Sequence, residues 1–293
     1  MLILCEKKGM AIFHYASPHW ETGRLFTSDQ DFVSGVNTLA LAVALFNVKL
    51  LCYCLMDNHI HILLEGDAAE CEKCYKWIML RLAQMAGMQK YKKDKLSLLD
   101  IKPVEITSRK QFANEVAYIL RNPYKARMSS PFSYKWNSSD VCFNPRISEF
   151  KGENVGNLPV TKARELFHTK HTLPPHYEHF GGRILNRCFV DYKRTEKLLG
   201  SDLNLFDTIR LWDLEGAVAM SHGAEEKITF TDNELAAKIG TMCKKEYHAE
   251  SIELLDRKTL LTLARAAARR FGAGKKQLSR LLGISPEVLD AVL

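Results

Sequence analysis

Apolar and polar positions along the chain follow two rhythms, one of period two and one of period three to four. Met10 to Ala16 (MAIFHYA) is a dense run that reads as a first strand. Asp29 to Asn47 then places Phe32, Val36, Leu39, Val43 and Phe46 at helical spacing. Lys49 to Met56 is again dense and apolar, and His59 to Leu64 alternates, with Asp57 and Asn58 supplying turn chemistry between them. A β-hairpin follows, with His59 and His61 on its second strand. Glu70 to Lys92 reads as a long amphipathic helix through Cys74, Trp77, Ile78, Leu82 and Met85, ending in a basic tail of Lys90, Lys92 and Lys93. Ile101 to Ile106 is a short strand. Ser108 can cap a helix through Phe112, Val116, Ile119 and Leu120, which stops near Asn122 because Pro123 disfavours helical geometry in the residue before it.

The order βαββαβα predicts an α+β fold: a ferredoxin-like antiparallel sheet with helices on one face and the other open to a substrate. From Ser129 to Pro175 aromatic, Pro, Asn and Ser residues mix with short apolar pieces, which predicts irregular structure and a domain boundary near residue 150. Residues 1–150 form the first expected domain and 151–293 a mainly helical second one. In the latter, Lys258 to Phe271, Lys275 to Leu282 and Pro286 to Leu293 are separated by glycine turns. The last two match the rhythm of a helix-turn-helix DNA-binding unit, placed at about residues 255–293.

A chain of 293 residues has room for two cores, and 46% hydrophobic with 26% charged residues excludes the disordered and fibrous classes. The formal net charge of +7 favours an anionic partner, nucleic acid or a membrane surface. No apolar run approaches the roughly 18 residues a span requires, and Met1 to Gly9 lacks the order of a signal peptide. A cytoplasmic, nucleoid-associated protein without a membrane partner is therefore expected. Among eight cysteines, only Cys71 and Cys74 have the spacing of half a zinc site. No matching second pair follows, so reduced and mostly buried thiols are expected.

His59 and His61 lie on one face of their strand, because strand side chains alternate sides. Two imidazoles suit a divalent ion, but taken alone the short pattern fits two core or surface histidines better. Glu115, Tyr118 and Asn122 share a helical stripe opposite the apolar one. A phenol, with an ordinary pKa of about 10, is a poor nucleophile unless a nearby cation polarises its target. Considered alone, Tyr118 fits a surface tyrosine on an amphipathic helix better.

Two segments taken together carry a resemblance. Leu55 to Leu64 (LMDNHIHILL) resembles the LMPNHVHLL segment of the REP-associated tyrosine transposases, of the HUH single-tyrosine class, and Ala117 to Arg127 (AYILRNPYKAR) resembles their RYIhxNPvrAg segment. Tyr134 to Ser139 (YKWNSS) is similar to the pWSS stretch that follows, and Gly23 to Phe26 to an early GRxxF-type turn. The likeness spans roughly residues 10 to 145. It implies an HUH endonuclease fold, with Mg2+ or Mn2+ held by His59, His61 and Asn122. It also implies Tyr118 as the nucleophile that leaves a 5′-phosphotyrosine and a free 3′-OH on single-stranded or hairpin DNA. Family members work as dimers or monomers, so a homodimer is allowed. Basic residues expected near DNA are Arg121, Lys125 and Arg127 beside the tyrosine, and Arg269, Arg270, Lys275, Lys276 and Arg280 in the last helices.

The chain departs from the family in carrying Asp57 where proline is usual, and in its long C-terminal part. Tyr124 lies beyond Pro123 and ranks behind Tyr118. Two other classes stay open: a DNA-binding regulator that has lost cleavage, and a histidine-triad nucleotide hydrolase, which lacks its third histidine because position 63 is Leu63.

Overall fold

The computed structural model describes residues 9–17, 25–85, 102–126, 128–221, 230, 232–271 and 273–290. The chain begins with β1 (Ala11–Ala16), α1 (Asp29–Leu45), β2 (Val48–Met56), β3 (His59–Gly66), α2 (Ala68–Met85), β4 (Val104–Ile106) and α3 (Arg109–Leu120). Local chemistry sets two of these helix starts. Ser28 accepts from Asp31 N while the Asp31 carboxylate accepts from Ser28 N, a reciprocal capping box. Ser108 Oγ accepts from Gln111 N at 3.1 Å and starts α3 as expected. The basic tail of Lys90, Lys92 and Lys93 lies outside the described residues, as do Gly23 and Arg24.

β1 to β4 form an antiparallel sheet in the order β2-β3-β1-β4. On one face Tyr15 stacks on Tyr75 of α2, ring centroids 4.7 Å apart, and α1 lies beside α2. The opposite face carries His14, His59, His61 and Glu65, and it is covered too. α3 packs over it, and Arg194 makes a fork to Glu65 from a helix much later in the chain. Helices therefore lie on both faces, which corrects the expectation of one open face. The cause is the stripe of Phe112, Val116, Ile119 and Leu120, all fully buried, which α3 can bury only by lying on the sheet. The outer edge of β2 is closed by the Trp136 to Ser138 stretch, where Leu55 N donates to Trp136 O and Ser138 N to Tyr53 O.

Beyond α3 come α4 (Asn122–Lys125), β5 (Glu153–Asn154), α5 (Val160–Phe167), β6 (Glu178–Phe180), β7 (Arg183–Ile184), α6 (Tyr192–Leu199) and α7 (Asp202–Ser221). The three-stranded sheet β5-β6-β7 was not legible in the sequence, since strands of two or three residues are too short to show a period. One continuous core runs from Ile12 to Ile209. The boundary expected near residue 150 thus falls inside a packed unit, because α5 to α7 bury their apolar faces against the first sheet and its helices. A second core joins α8 (Asp232–Tyr247), α9 (Arg257–Phe271), α10 (Lys275–Leu282) and α11 (Pro286–Asp290) around Leu235, Leu263 and Leu278. Gly283, at φ +66°, turns the chain between α10 and α11 in a left-handed conformation that suits glycine. No described helix is long and apolar enough to cross a membrane.

Candidate active site of tyrosine and histidines

The hairpin β2-β3 places His59 opposite Met56 and His61 opposite Cys54, with both imidazoles on the face beneath α3. Their ring centroids stand 5.0 Å apart, and both side chains are buried. The turn is held in place from β1 and from the segment before α1: Ile60 N donates to Ser17 Oγ, and Leu25 N and Phe26 N both donate to Asp57 O.

β1 contributes a residue that the sequence reading missed. His14, 7% exposed, puts Nε2 at 3.1 Å from His61 Nδ1 and Nδ1 at 2.9 Å from Glu115 Oε2. Tyr118, one turn after Glu115 on α3, lies with its ring edge-on to both His61 and His14, at centroid distances of 5.4 and 6.1 Å. Four side chains from three elements thus make one polar cluster: His14, His61, Glu115 and Tyr118. The register that places Ala16 opposite His61 brings His14 within reach on the same face, and neither residue signals that pairing in the sequence.

For neutral rings the hydrogen bonds assign which nitrogen of each is basic. A carboxylate only accepts, so His14 Nδ1 carries the hydrogen facing Glu115. In neutral His14 the other nitrogen then accepts from His61 Nδ1–H, which leaves Nε2 as the basic nitrogen of His61. His59 Nδ1 meets Asn58 Oδ1 at 2.6 Å, so Nε2 is likewise its basic nitrogen. Two basic Nε2 atoms on one strand face, each ring held from behind, are the donor chemistry of a divalent-cation site. Among the described residues no group of three or more His, Cys, Asp or Glu side chains is arranged to hold a metal, so a third protein ligand would have to be of another type. Asn122 is of that type. Its Nδ2 donates to Tyr118 O at 2.8 Å and Ile119 O at 3.4 Å, which keeps the amide against the last turn of α3.

The other candidates scatter. Arg121 is half-buried where α3 ends, Lys125 is exposed on α4, and Arg127 lies outside the described residues. Arg269, Lys275 and Lys276 are exposed, and Arg270 pairs with Glu246. Arg280 is not an open phosphate contact. Its guanidinium, 9% exposed, forks onto buried Asp232, because a cation at that depth needs a partner. Cys71 and Cys74 are buried on α2, and among the described residues they belong to no group of three or more His, Cys, Asp or Glu side chains arranged to hold a metal; burial pushes the Cys74 thiol up to about 12.

No family model and no curated protein matches the chain. Among solved structures it is similar to a REP-associated tyrosine transposase bound to a REP hairpin, at 12% identity and a TM-score of 0.35 over 45% of this chain and 77% of that one.

Proposed function

We propose that the chain is a transposase-like, tyrosine-dependent single-strand DNA endonuclease and strand transferase, built on a ferredoxin-like HUH sheet. The strand order β4-β1-β3-β2 within β1α1β2β3α2β4 supports that fold. The observation that carries the function is the meeting of Tyr118 with His61, whose strand face also bears His59. A phenol ring edge-on to His61, itself backed by His14 and Glu115, is an arrangement with chemical use; a surface tyrosine needs none of it.

The phenolic oxygen of Tyr118 attacks a backbone phosphorus, forms a new P–O bond, and gives its proton to solvent. The P–O3′ bond breaks in line, and the departing 3′-oxygen takes up a proton. One phosphoester replaces another, so the bond energy is conserved for a later 3′-OH to reverse the attack, which is strand transfer. His59, His61 and Asn122 would hold Mg2+ or Mn2+, which when bound polarises the phosphate and neutralises charge as the phenol approaches. Glu115 and His14 orient His61 from behind. Exposed Tyr124, on α4 just after the helix that carries Tyr118, would give an unpaired base a surface for stacking, and exposed Lys125 next to it in the chain would meet phosphate.

The polarity of the product tests this reading. After incubation with a labelled hairpin and Mn2+, protease digestion should leave one fragment with a 3′-OH that a polymerase extends. The other should have a 5′ end that a kinase cannot label. A 5′ end that becomes open to the kinase after phosphatase treatment would show hydrolysis to a free 5′-phosphate without a tyrosine intermediate.

A further inference from the structure

The turn between β2 and β3 is gripped from the far end of the chain. Asp232, the first residue of α8, donates its backbone N–H to Asp57 Oδ2 at 3.0 Å. Its carboxylate accepts a fork from Arg280 of α10, Nε at 2.7 Å and Nη2 at 2.9 Å, and faces Asn58 Nδ2 at 3.4 Å. Asp232 is 3% exposed, so the carboxylate is held by these donors rather than by water. Asp57 stands where the family pattern has proline, and proline offers no carboxylate to the first N–H of a helix.

This contact has a chemical consequence two atoms further on. A carboxylate accepts and never donates, so the Asn58 amide must turn its NH2 toward Asp232. Its Oδ1 is then the atom that meets His59 Nδ1 at 2.6 Å, and an oxygen there requires Nδ1 to carry the hydrogen. At 3.4 Å the Asn58–Asp232 contact is long, and it acts by direction. The flipped amide would set an oxygen against a carboxylate.

We infer that Asp232 and Arg280 are positioning residues for His59: through Asn58, the C-terminal helices hold its imidazole in the Nδ1–H tautomer and present Nε2 to a divalent cation. The tautomer follows from the hydrogen bonds alone; the cation clause rests on the proposed endonuclease reading. Arg280, expected from the sequence to bind DNA, takes this internal role instead, and the long C-terminal part becomes a support for the hairpin.

The test is long-range 1H–15N NMR of the full-length, metal-free protein above the imidazole titration range, with the His59 signals identified by His59→Gln. Wild type should show Nδ1 protonated, and Asp232→Ala and Asn58→Leu should shift His59 toward the Nε2–H form or a mixture. Asn58→Asp, which still offers an acceptor to Nδ1–H, should retain the wild-type tautomer. If Asp232→Ala loosens the C-terminal helices, the double variant Asp232→Leu/Arg280→Met, which removes both charges of the buried pair together, is read in its place, with the same shift expected. Mn2+ affinity, followed by the electron paramagnetic resonance of free Mn2+, should fall about tenfold wherever the tautomer is lost. An Nε2–H His59 in wild type, or an unchanged tautomer in Asp232→Ala and in the double variant, overturns the inference. Wild type that shows the Nδ1–H form yet binds no Mn2+ refutes the cation clause and the metal reading with it, while the tautomer assignment stands.

Discussion

His14 on β1 and His61 on β3 are joined ring to ring at 3.1 Å, and Glu115 holds the far side of His14 at 2.9 Å. The carboxylate–histidine–histidine chain orients His61, which lies edge-on to Tyr118. Truncation of a group behind a metal-binding histidine costs about 10 to 100-fold in affinity or activity. His14→Ala is therefore expected to slow formation of the protein–DNA adduct by that factor, with the fold intact by circular dichroism. Glu115→Gln, which can still accept from His14, should cost less. Equal rates for wild type and His14→Ala would show that His61 needs no support.

The capping box of α1 makes an acid-sensitive contribution to stability. Burial raises the Asp31 pKa, but hydrogen bonds from Thr27 and Ser28 outweigh that and hold it below the usual carboxylate range. A group with a depressed folded pKa contributes stability above its unfolded pKa and loses it as pH falls through the folded value. Asp31→Ala should lower stability by about 1 kcal/mol at neutral pH. The difference from wild type should shrink on acidification, as read by urea midpoints across the acid range.

Arg280 and the lysines just before it should separate stability from DNA binding. Arg280→Ala leaves Asp232 buried without its fork and should cost about 3 kcal/mol or more of folding stability, by the general cost of breaking a buried ion pair. Lys275→Ala with Lys276→Ala, both exposed on α10, should leave the melting temperature near wild type. If α10 and α11 meet phosphate, the double variant should flatten the salt dependence of DNA affinity by about 1 per lysine lost. An unchanged slope would place the DNA elsewhere.

The thiols of β2 and α2 are expected to be inert. Burial pushes Cys52 and Cys74 up to about 12 and Cys54 well above its ordinary value. Maleimide or iodoacetamide at mildly alkaline pH, followed by peptide mapping, should leave these three unlabelled in the native protein and label them after denaturation. Rapid native labelling of Cys74 would contradict the packing of α2 on the sheet.

The first half of the chain was legible because its periods are long enough to read. Phe32, Val36 and Leu39 marked α1, the LMDNHIHILL run marked the hairpin, and Ser108 and Pro123 bracketed α3. Parity along one strand put His59 and His61 on one face. Strand register is a property of pairing, however, so His14 gave no signal of its own. The same limit hid Asp232, which meets Asn58 across 174 positions. The charge of Arg280 was visible and its depth was not, so a buried fork read as a surface phosphate contact. The second face of the sheet read as open because α3 and α6 reach it from opposite sides of an irregular stretch.

The central claim, that Tyr118 is the nucleophile beside a histidine pair that holds a cation, is tested most directly by trapping the covalent intermediate. Wild type, Tyr118→Phe and His59→Ala are incubated with labelled single-stranded hairpin DNA and Mn2+, then denatured and separated. A labelled band at the protein's size in wild type, absent in Tyr118→Phe and in His59→Ala, is the predicted result. No adduct from wild type across a library of hairpins, or an adduct that survives Tyr118→Phe, would contradict it.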